Sequence, residues 1–286
     1  MKAFMTNIFL TSTALGMLVL SPDARAFTAA DPARILYAGD SLAVETRDTV
    51  KWWTQVGGKA TLSDSIYGGL AICDFLEGKP AGMPAEKKLK AQVRTLKPQL
   101  VILQFWGNAL TPCMQHTQSG GQLILEAYYN QYFWDALNAA LQIRDAAAEV
   151  GIPKPRILWV LQGPDRSLRE RTQRLNQSYA YVAAEWGDRT SDAGHEVSLA
   201  AYPYPDGTHD RYGWTQFLPC TNFERQAGLC TNPAYGGLAQ LHRDDDSTHF
   251  CLGNASSGGL VCGVPSPGIV RYGMRIAHDA NTWLGT

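Results

Sequence analysis

Short apolar runs alternate with longer segments of helical spacing along most of this chain, and no other feature of the sequence restricts the fold as strongly. Strands that alternate with helices form a parallel sheet covered by helices on both faces. We therefore predict an α/β fold with a five-stranded parallel sheet. The predicted strands lie at residues 35–38, 60–66, 100–105, 156–161 and 196–202, and the predicted helices at 42–56, 86–96, 128–150, 166–186 and 268–284.

The first 26 residues predict an export signal rather than part of the fold. Lys2 precedes an apolar run at residues 8–20, and Ala24-Arg25-Ala26 fits a small-x-small cleavage site. The run is too short to span a bilayer, and the alternative is a buried N-terminal helix. We predict a signal peptide at 1–26, one domain at 27–286 without a membrane span, and a periplasmic or secreted location.

The chain carries an even number of cysteines, all within the predicted mature part. In an exported protein this favours three disulfides over a metal site, and no pair has the close spacing of a zinc knuckle or a redox dithiol. Proximity in the sequence suggests the pairs Cys220–Cys230 and Cys251–Cys262, which leaves Cys73 and Cys113. Other connectivities remain open.

The charge balance and the local composition of the chain restrict which partners it can bind and indicate how the domain is organised. The chain has 25 basic and 26 acidic side chains, so nothing indicates nucleic acid or an anionic membrane as a partner. Residues 203–267 interrupt the strand–helix pattern and are rich in Gly, Pro, Asn and Cys. We interpret them as a loop-rich, disulfide-stapled insertion before the last helix.

A serine follows the first predicted strand directly, in the turn Gly39-Asp40-Ser41. This position is at the carboxyl end of a strand and near a helix N-terminus. Ligands bind at such edges of open α/β sheets, and backbone N–H groups there can face an anion. The alternative is that Ser41 serves only as an N-cap.

Three further segments carry polar or small residues at places that could converge with Ser41. Gly68 and Asn108 follow the second and third predicted strands, and Asp246-Ser247-Thr248-His249 precedes the last helix. In this order the segments resemble the four blocks of the SGNH (GDSL-like) hydrolase family: a Gly-Asp-Ser turn, a lone glycine, a Gly-x-Asn and an Asp-x-x-His. The resemblance covers about residues 34–284, and the segments Gln104–Cys113 and Leu218–Cys220 look like an exported, cysteine-containing branch of the family. It implies a three-layer, flavodoxin-like fold.

The resemblance also implies a role for each matching residue in ester hydrolysis. Ser41 would be the nucleophile, His249 the base that takes its proton, and Asp246 the residue that orients the imidazole in a catalytic triad. The oxyanion hole would consist of the backbone N–H groups of Ser41 and Gly68 and the side-chain amide of Asn108. This mechanism needs no metal and no organic cofactor.

Two of these assignments have competitors in the sequence. Asp206-Gly207-Thr208-His209 is a second Asp-x-x-His, placed after the last predicted strand. We prefer Asp246 and His249 because the final helix follows them closely, as in the family. Gly69 competes with Gly68.

Cys73 and Cys113 each lie five residues beyond a predicted oxyanion-hole residue. We expect them to form a disulfide that ties the two loops together and fixes the geometry of the hole.

The predicted function is an exported serine esterase that hydrolyses carboxylic esters, with short acyl or acetyl groups, through an acyl-enzyme at Ser41. The substrate would be a small-molecule or glycan ester. One alternative is an acyltransferase that moves acyl groups on envelope glycans. The other is an envelope protein that binds glycan without catalysis.

Overall fold

The structure is a computed structural model that describes residues 31–80, 82–202, 210–230, 237–253 and 262–286. The strands are β1 (Ala33–Gly39), β2 (Ala60–Ile66), β3 (Leu100–Gln104), β4 (Gln118–Ser119), β5 (Gln122–Leu123), β6 (Arg156–Val160), β7 (Arg189–Ser191), β8 (Phe217–Pro219) and β9 (Leu238–Gln240). The α-helices are α1 (Ser41–Gln55), α2 (Leu89–Leu96), α3 (Leu125–Glu149), α4 (Arg169–Trp186), α5 (Asn222–Gln226) and α6 (Pro267–Leu284).

Five strands form one sheet in the order β2-β1-β3-β6-β7, and all of its pairs are parallel. The pairs β4–β5 and β8–β9 are separate antiparallel ribbons. The predicted α/β class with a five-stranded parallel sheet is confirmed. The carboxyl ends of β1 and β3 lie side by side, since Gly39 is in register with Gln104, so the segments after these strands meet at one edge.

Alternate residues of the central strands face opposite layers of helices, which gives the molecule two apolar cores. On one side the sheet packs against the group α2, α3 and α4, and on the other against α1 and α6. Burial of each large side chain contributes roughly 1.5–3 kcal/mol. Facing the first group are Leu36, Val101, Leu103 and Trp159; facing the second are Ile35, Ile102, Leu158 and Val160.

The predicted fifth strand at residues 196–202 is wrong. The fifth strand is β7, and residues 193–201 form two short 3-10 turns, Ala193–Val197 and Leu199–Ala201. The Gly194 N–H bonds to the Leu161 carbonyl at 3.1 Å, and a Cβ on Gly194 would lie 2.3 Å from the Gln162 carbonyl oxygen. The chain therefore turns tightly across the end of β6, and Val197 is buried in the core beside α6 instead of extending the sheet.

The described parts of residues 203–267, which the sequence predicts to be an insertion, contain the β8–β9 ribbon and α5. The bridge Cys220–Cys230 has a Cα–Cα distance of 5.9 Å, and Cys251–Cys262 has 5.6 Å. A bidentate ion pair between Arg271 of α6 and the buried Glu224 of α5 joins the insertion to the last helix.

The export signal predicted at residues 1–26 lies outside the described residues. Among the helices that the structure describes, none has the length and apolar character needed to cross a bilayer.

Candidate active site

Ser41 is the first residue of α1 and follows the turn that ends β1. Asp40 caps the helix, because its side chain accepts the Leu42 N–H at 3.1 Å. A residue in the first helical turn has no intrahelical acceptor for its N–H group. The Ser41 N–H therefore has no hydrogen-bond acceptor within the helix. It lies at the helix N-terminus, where the helix dipole attracts negative charge.

The structure brings Ser41, His249 and Asp246 into one hydrogen-bonded chain. His249 Nε2 is 2.9 Å from Ser41 Oγ, and His249 Nδ1 is 2.9 Å from Asp246 Oδ2. Ser41 and His249 are 208 residues apart in the sequence, so tertiary folding alone creates this contact. With Nδ1–H donated to the carboxylate, Nε2 carries the lone pair that faces the serine hydroxyl.

A tight turn holds Asp246 and His249 together. Asp246 Oδ1 accepts the N–H groups of Thr248 at 2.7 Å and of His249 at 2.9 Å. Arg243 donates to Asp246 Oδ2 at 2.6 Å, and its backbone N–H bonds to the His249 carbonyl at 3.3 Å. The fully buried His242 lies beneath the loop, with Nδ1 3.3 Å from the Thr248 carbonyl oxygen.

Burial, hydrogen bonds and neighbouring charges together shift the pKa values of His249 and Asp246 in opposite directions. Burial lowers the pKa of His249, but the hydrogen bond with Asp246 and the charges of Glu45, Asp246 and Asp40 outweigh it, so the pKa is raised from its ordinary value. Burial opposes ionisation of Asp246, yet its hydrogen bonds to His249 hold the pKa of this carboxyl well below its usual range. The pair thus consists of a firmly ionised carboxylate and an imidazole of increased basicity.

Asn108 lies close to Ser41 through a shared partner, Asp40. The Asn108 amide nitrogen donates to Asp40 Oδ2 at 3.1 Å and to the Leu70 carbonyl at 3.1 Å. Both amide hydrogens therefore have protein acceptors, and an oxyanion can use this amide only by sharing a hydrogen or displacing one acceptor. Gly68 lies against the serine, since a Cβ there would be 3.8 Å from Ser41 Cβ, whereas a Cβ on Gly69 would meet nothing within 4 Å.

Three buried tyrosines fix the backbone between β3 and Asn108 by donating their hydroxyl groups to its carbonyl oxygens. Gly107 within this segment has φ +120°, and a Cβ there would lie 2.5 Å from the Tyr128 hydroxyl. Only glycine fits both the conformation and the space. The donor–carbonyl pairs are Tyr179 to Phe105 at 2.9 Å, Tyr128 to Gly107 at 2.7 Å and Tyr132 to Asn108 at 2.6 Å.

No family model and no curated protein matches the sequence. Several solved structures are similar to it. The chain is similar to Est24, a carbohydrate acetylesterase from Sinorhizobium meliloti, with a TM-score of 0.52 and 14% identity over 88% of this chain and 99% of that chain. The chain has the SGNH-hydrolase fold.

Two other structures match less closely. A catalytic mutant of Axe2, an acetylxylan esterase from Geobacillus stearothermophilus, has a TM-score of 0.40 and 14% identity over 91% of this chain and 97% of that chain. An aryl esterase from M. smegmatis has a TM-score of 0.42 and 16% identity over 64% of this chain and 91% of that chain.

Trp106 stands two residues before Asn108, where the Gly-x-Asn pattern of the SGNH family has glycine. The Trp106 backbone N–H donates to Asp40 Oδ2 at 2.6 Å. The Arg171 guanidinium lies 3.7 Å from the centre of the indole ring and donates to the buried Asp165, with Nε at 3.1 Å. The tryptophan is thus held rigidly beside the asparagine.

A disulfide joins the loops that carry Gly68 and Asn108. Cys73 and Cys113 are bonded, with Cα atoms 6.0 Å apart, and both are buried. The bridge links the segment after β2 to the segment after β3, so neither loop can move far from Ser41 without the other.

The competing pair Asp206 and His209 lies outside the described residues. Sequence reasoning did not single out Asp40 and Glu45 as functional residues, although both belong to the site. Glu45 could have been found from its spacing of four residues from Ser41, which places it on the same helix face. The partners of Asp40 lie after β3 and carry no local signal.

Proposed function

We propose that this protein is an exported serine esterase that hydrolyses short-chain acyl esters through an acyl-enzyme at Ser41. The observation that carries the proposal is the continuous chain from Ser41 Oγ through the His249 imidazole to Asp246, with both contacts at 2.9 Å. A serine hydroxyl needs such a base to become nucleophilic at neutral pH.

The reaction runs in two halves. Ser41 Oγ attacks the acyl carbonyl carbon while His249 Nε2 takes the hydroxyl proton, and the resulting oxyanion lies near the Ser41 and Gly68 N–H groups and the Asn108 amide. Collapse of this intermediate expels the alcohol, which receives the proton from His249, and leaves the acyl group on Ser41. Water then attacks the acyl-enzyme with His249 as base, and the acid is released.

The substrate class is proposed from compartment and fold. The signal peptide predicted at residues 1–26 and three disulfides support an extracytoplasmic location. Est24, which shares the fold, is a carbohydrate acetylesterase. Acetyl esters of glycans are therefore the first substrates to test, ahead of long-chain lipid esters.

A panel of p-nitrophenyl esters of increasing acyl length, run beside acetylated xylo-oligosaccharides, tests the proposal with the oxidised protein. We expect hydrolysis with the highest kcat/KM for acetyl esters. Rates equal to those without enzyme on every ester would overturn the proposal. Adding an unacetylated sugar acceptor separates hydrolysis from acyl transfer, because transfer would yield acetylated acceptor in place of free acetate.

Replacement of Asn108 with alanine is expected to lower kcat about a hundredfold with little change in KM, since an oxyanion-hole donor contributes about 3 kcal/mol to the transition state and little to the ground state. Initial rates on p-nitrophenyl acetate measure the effect. Asn130→Ala, at an exposed position of α3, is the matched control. An Asn108→Ala rate within about threefold of that control would remove the amide from the mechanism.

The acidic limb of the pH profile is expected to have its midpoint above pH 6.5, the ordinary pKa of histidine. Only the neutral imidazole can take the serine proton, so kcat/KM rises as the pH passes upward through the raised pKa of His249. Burial raises the pKa of Asp40 to about 7, in the same range. NMR titration of the His249 ring therefore assigns the limb, and a midpoint at or below 6.5 would contradict the expectation.

A further inference from the structure

Glu45 belongs to the site but has no part in the reaction as described above. It lies four residues after Ser41 on α1, hence one helical turn along the same face. Its carboxylate accepts the backbone N–H of Phe250 at 2.8 Å. Phe250 directly follows His249, so this bond joins the helix of the proposed nucleophile to the loop of the proposed base.

Among the described residues, the hydrogen bonds that tie the segment around His249 to α1 are those of Glu45 with the backbone of Phe250 and Cys251 and the one between His249 and Ser41. Asp246 and Arg243 hold the imidazole from within the loop. The serine and the imidazole must keep one separation through both halves of the reaction. An anchor from the nucleophile's own helix fixes that separation directly, because α1 then carries both partners.

Glu45 also contributes charge. The ionisable groups that act on the imidazole are the carboxylates of Asp246, Glu45 and Asp40, while Arg243 acts on Glu45 and is bonded to Asp246. Burial raises the pKa of Glu45, and the positive charge of His249 opposes this shift. Glu45 is therefore most stable as a carboxylate when the imidazole is protonated, which is its state in the tetrahedral intermediate.

We propose that Glu45 is a positioning residue for the base: its carboxylate anchors the backbone after His249 to the helix of Ser41 and supplies a second negative charge beside the imidazole. The proposal rests on the proposed esterase function. It makes Glu45 a partner of Asp246, with Asp246 orienting the ring through Nδ1 and Glu45 fixing the loop.

The test compares Glu45→Gln and Glu45→Ala with Asp48→Asn. Glutamine keeps an oxygen for the Phe250 N–H and removes the charge, whereas alanine removes both. Asp48 is the matched control, because it lies on the same helix, its side chain is 58% exposed and it pairs with Arg47. The readouts are the NMR titration of the His249 ring, kcat and KM on p-nitrophenyl acetate, and Tm.

In Glu45→Gln we expect the His249 titration and the acidic limb of kcat/KM to move to lower pH than in Asp48→Asn, since a neighbouring negative charge is lost. We expect kcat to fall about tenfold in Glu45→Gln, because the lost negative charge no longer stabilises the imidazole when it is protonated. We expect kcat to fall further in Glu45→Ala, because the loss of the anchor also misplaces the base, and KM to stay nearly unchanged in both.

A His249 titration in Glu45→Gln that coincides with that of Asp48→Asn would overturn the electrostatic part of the proposal. Equal kcat values in Glu45→Gln, Glu45→Ala and Asp48→Asn would overturn the anchoring part. The titration needs no turnover, so it separates this proposal from the function: a shifted titration in a protein that hydrolyses no ester would leave the Glu45–His249 link standing and remove the esterase.

Discussion

Replacing Ser41 with alanine is expected to lower kcat between about ten-thousandfold and a millionfold, the range found when a single triad residue is removed. The Ser41 hydroxyl forms the acyl bond in the proposed reaction, and the only side chain that its oxygen contacts by a hydrogen bond in the described structure is His249. Without Oγ, an ester at this site can be cleaved only by direct attack of water.

The Ser41→Ala variant should remain folded. The cap of α1 comes from the Asp40 side chain, and alanine is well tolerated in the first helical turn, so the change in stability should be within about 0.5 kcal/mol. An unchanged Tm would assign the loss of rate to chemistry and not to unfolding. Ser119→Ala, at an exposed position of β4, is the control and should retain the full rate.

A fluorophosphonate probe tests the same residue without turnover. Ser41 Oγ attacks the phosphorus and fluoride leaves, so a stable mass increase should appear on the peptide that contains residue 41. We expect labelling of the wild type and of Ser119→Ala, and none of Ser41→Ala. Ester hydrolysis by Ser41→Ala within about tenfold of the wild type would place the nucleophile elsewhere.

Those strands of the sheet that consist of continuous apolar runs could be predicted from the sequence. β2 occurs at the predicted residues, and β3 and β6 differ by one residue at one end, because each is a buried run bounded by loop residues. β7 was missed because it has only three residues, Arg189-Thr190-Ser191, and carries no apolar signal. Val197, within the segment predicted as the fifth strand, is buried beside α6 and suggests a strand only by its composition.

The site residues that belong to a short local motif could be predicted from the sequence. The contacts between residues that are distant in the sequence could not. The spacing from Asp246 to His249 is a local pattern. The three acceptor contacts of Asp40, with Leu42, Trp106 and Asn108, join two strand ends and exist only after folding. The same holds for the tyrosine hydroxyls that bond the segment after β3. Helical periodicity predicts that the tyrosine rings of α3 and α4 are buried, but it does not predict which carbonyl each hydroxyl contacts.

Replacing His249 with alanine is the second large expected effect, a loss in kcat of about four orders of magnitude or more. The imidazole both takes the Ser41 proton and returns it to the leaving alcohol, so its loss stops both halves of the reaction. His209→Ala, in the competing Asp-x-x-His, should stay within about threefold of the wild type. Both variants are measured on p-nitrophenyl acetate, with Tm as the check on folding.

The aspartates of the two Asp-x-x-His segments can be compared in the same way. Asp246→Asn should lower kcat by about ten-thousandfold, because an amide that donates to Nδ1 stabilises the tautomer in which Nε2 carries the proton and cannot accept one. Asp206→Asn should have little effect. If instead His209→Ala and Asp206→Asn lost activity while His249→Ala and Asp246→Asn kept it, the base would come from residues 206–209. The 2.9 Å contact between His249 and Ser41 would then have no catalytic role, and Ser41 would remain the nucleophile with a different histidine as its base.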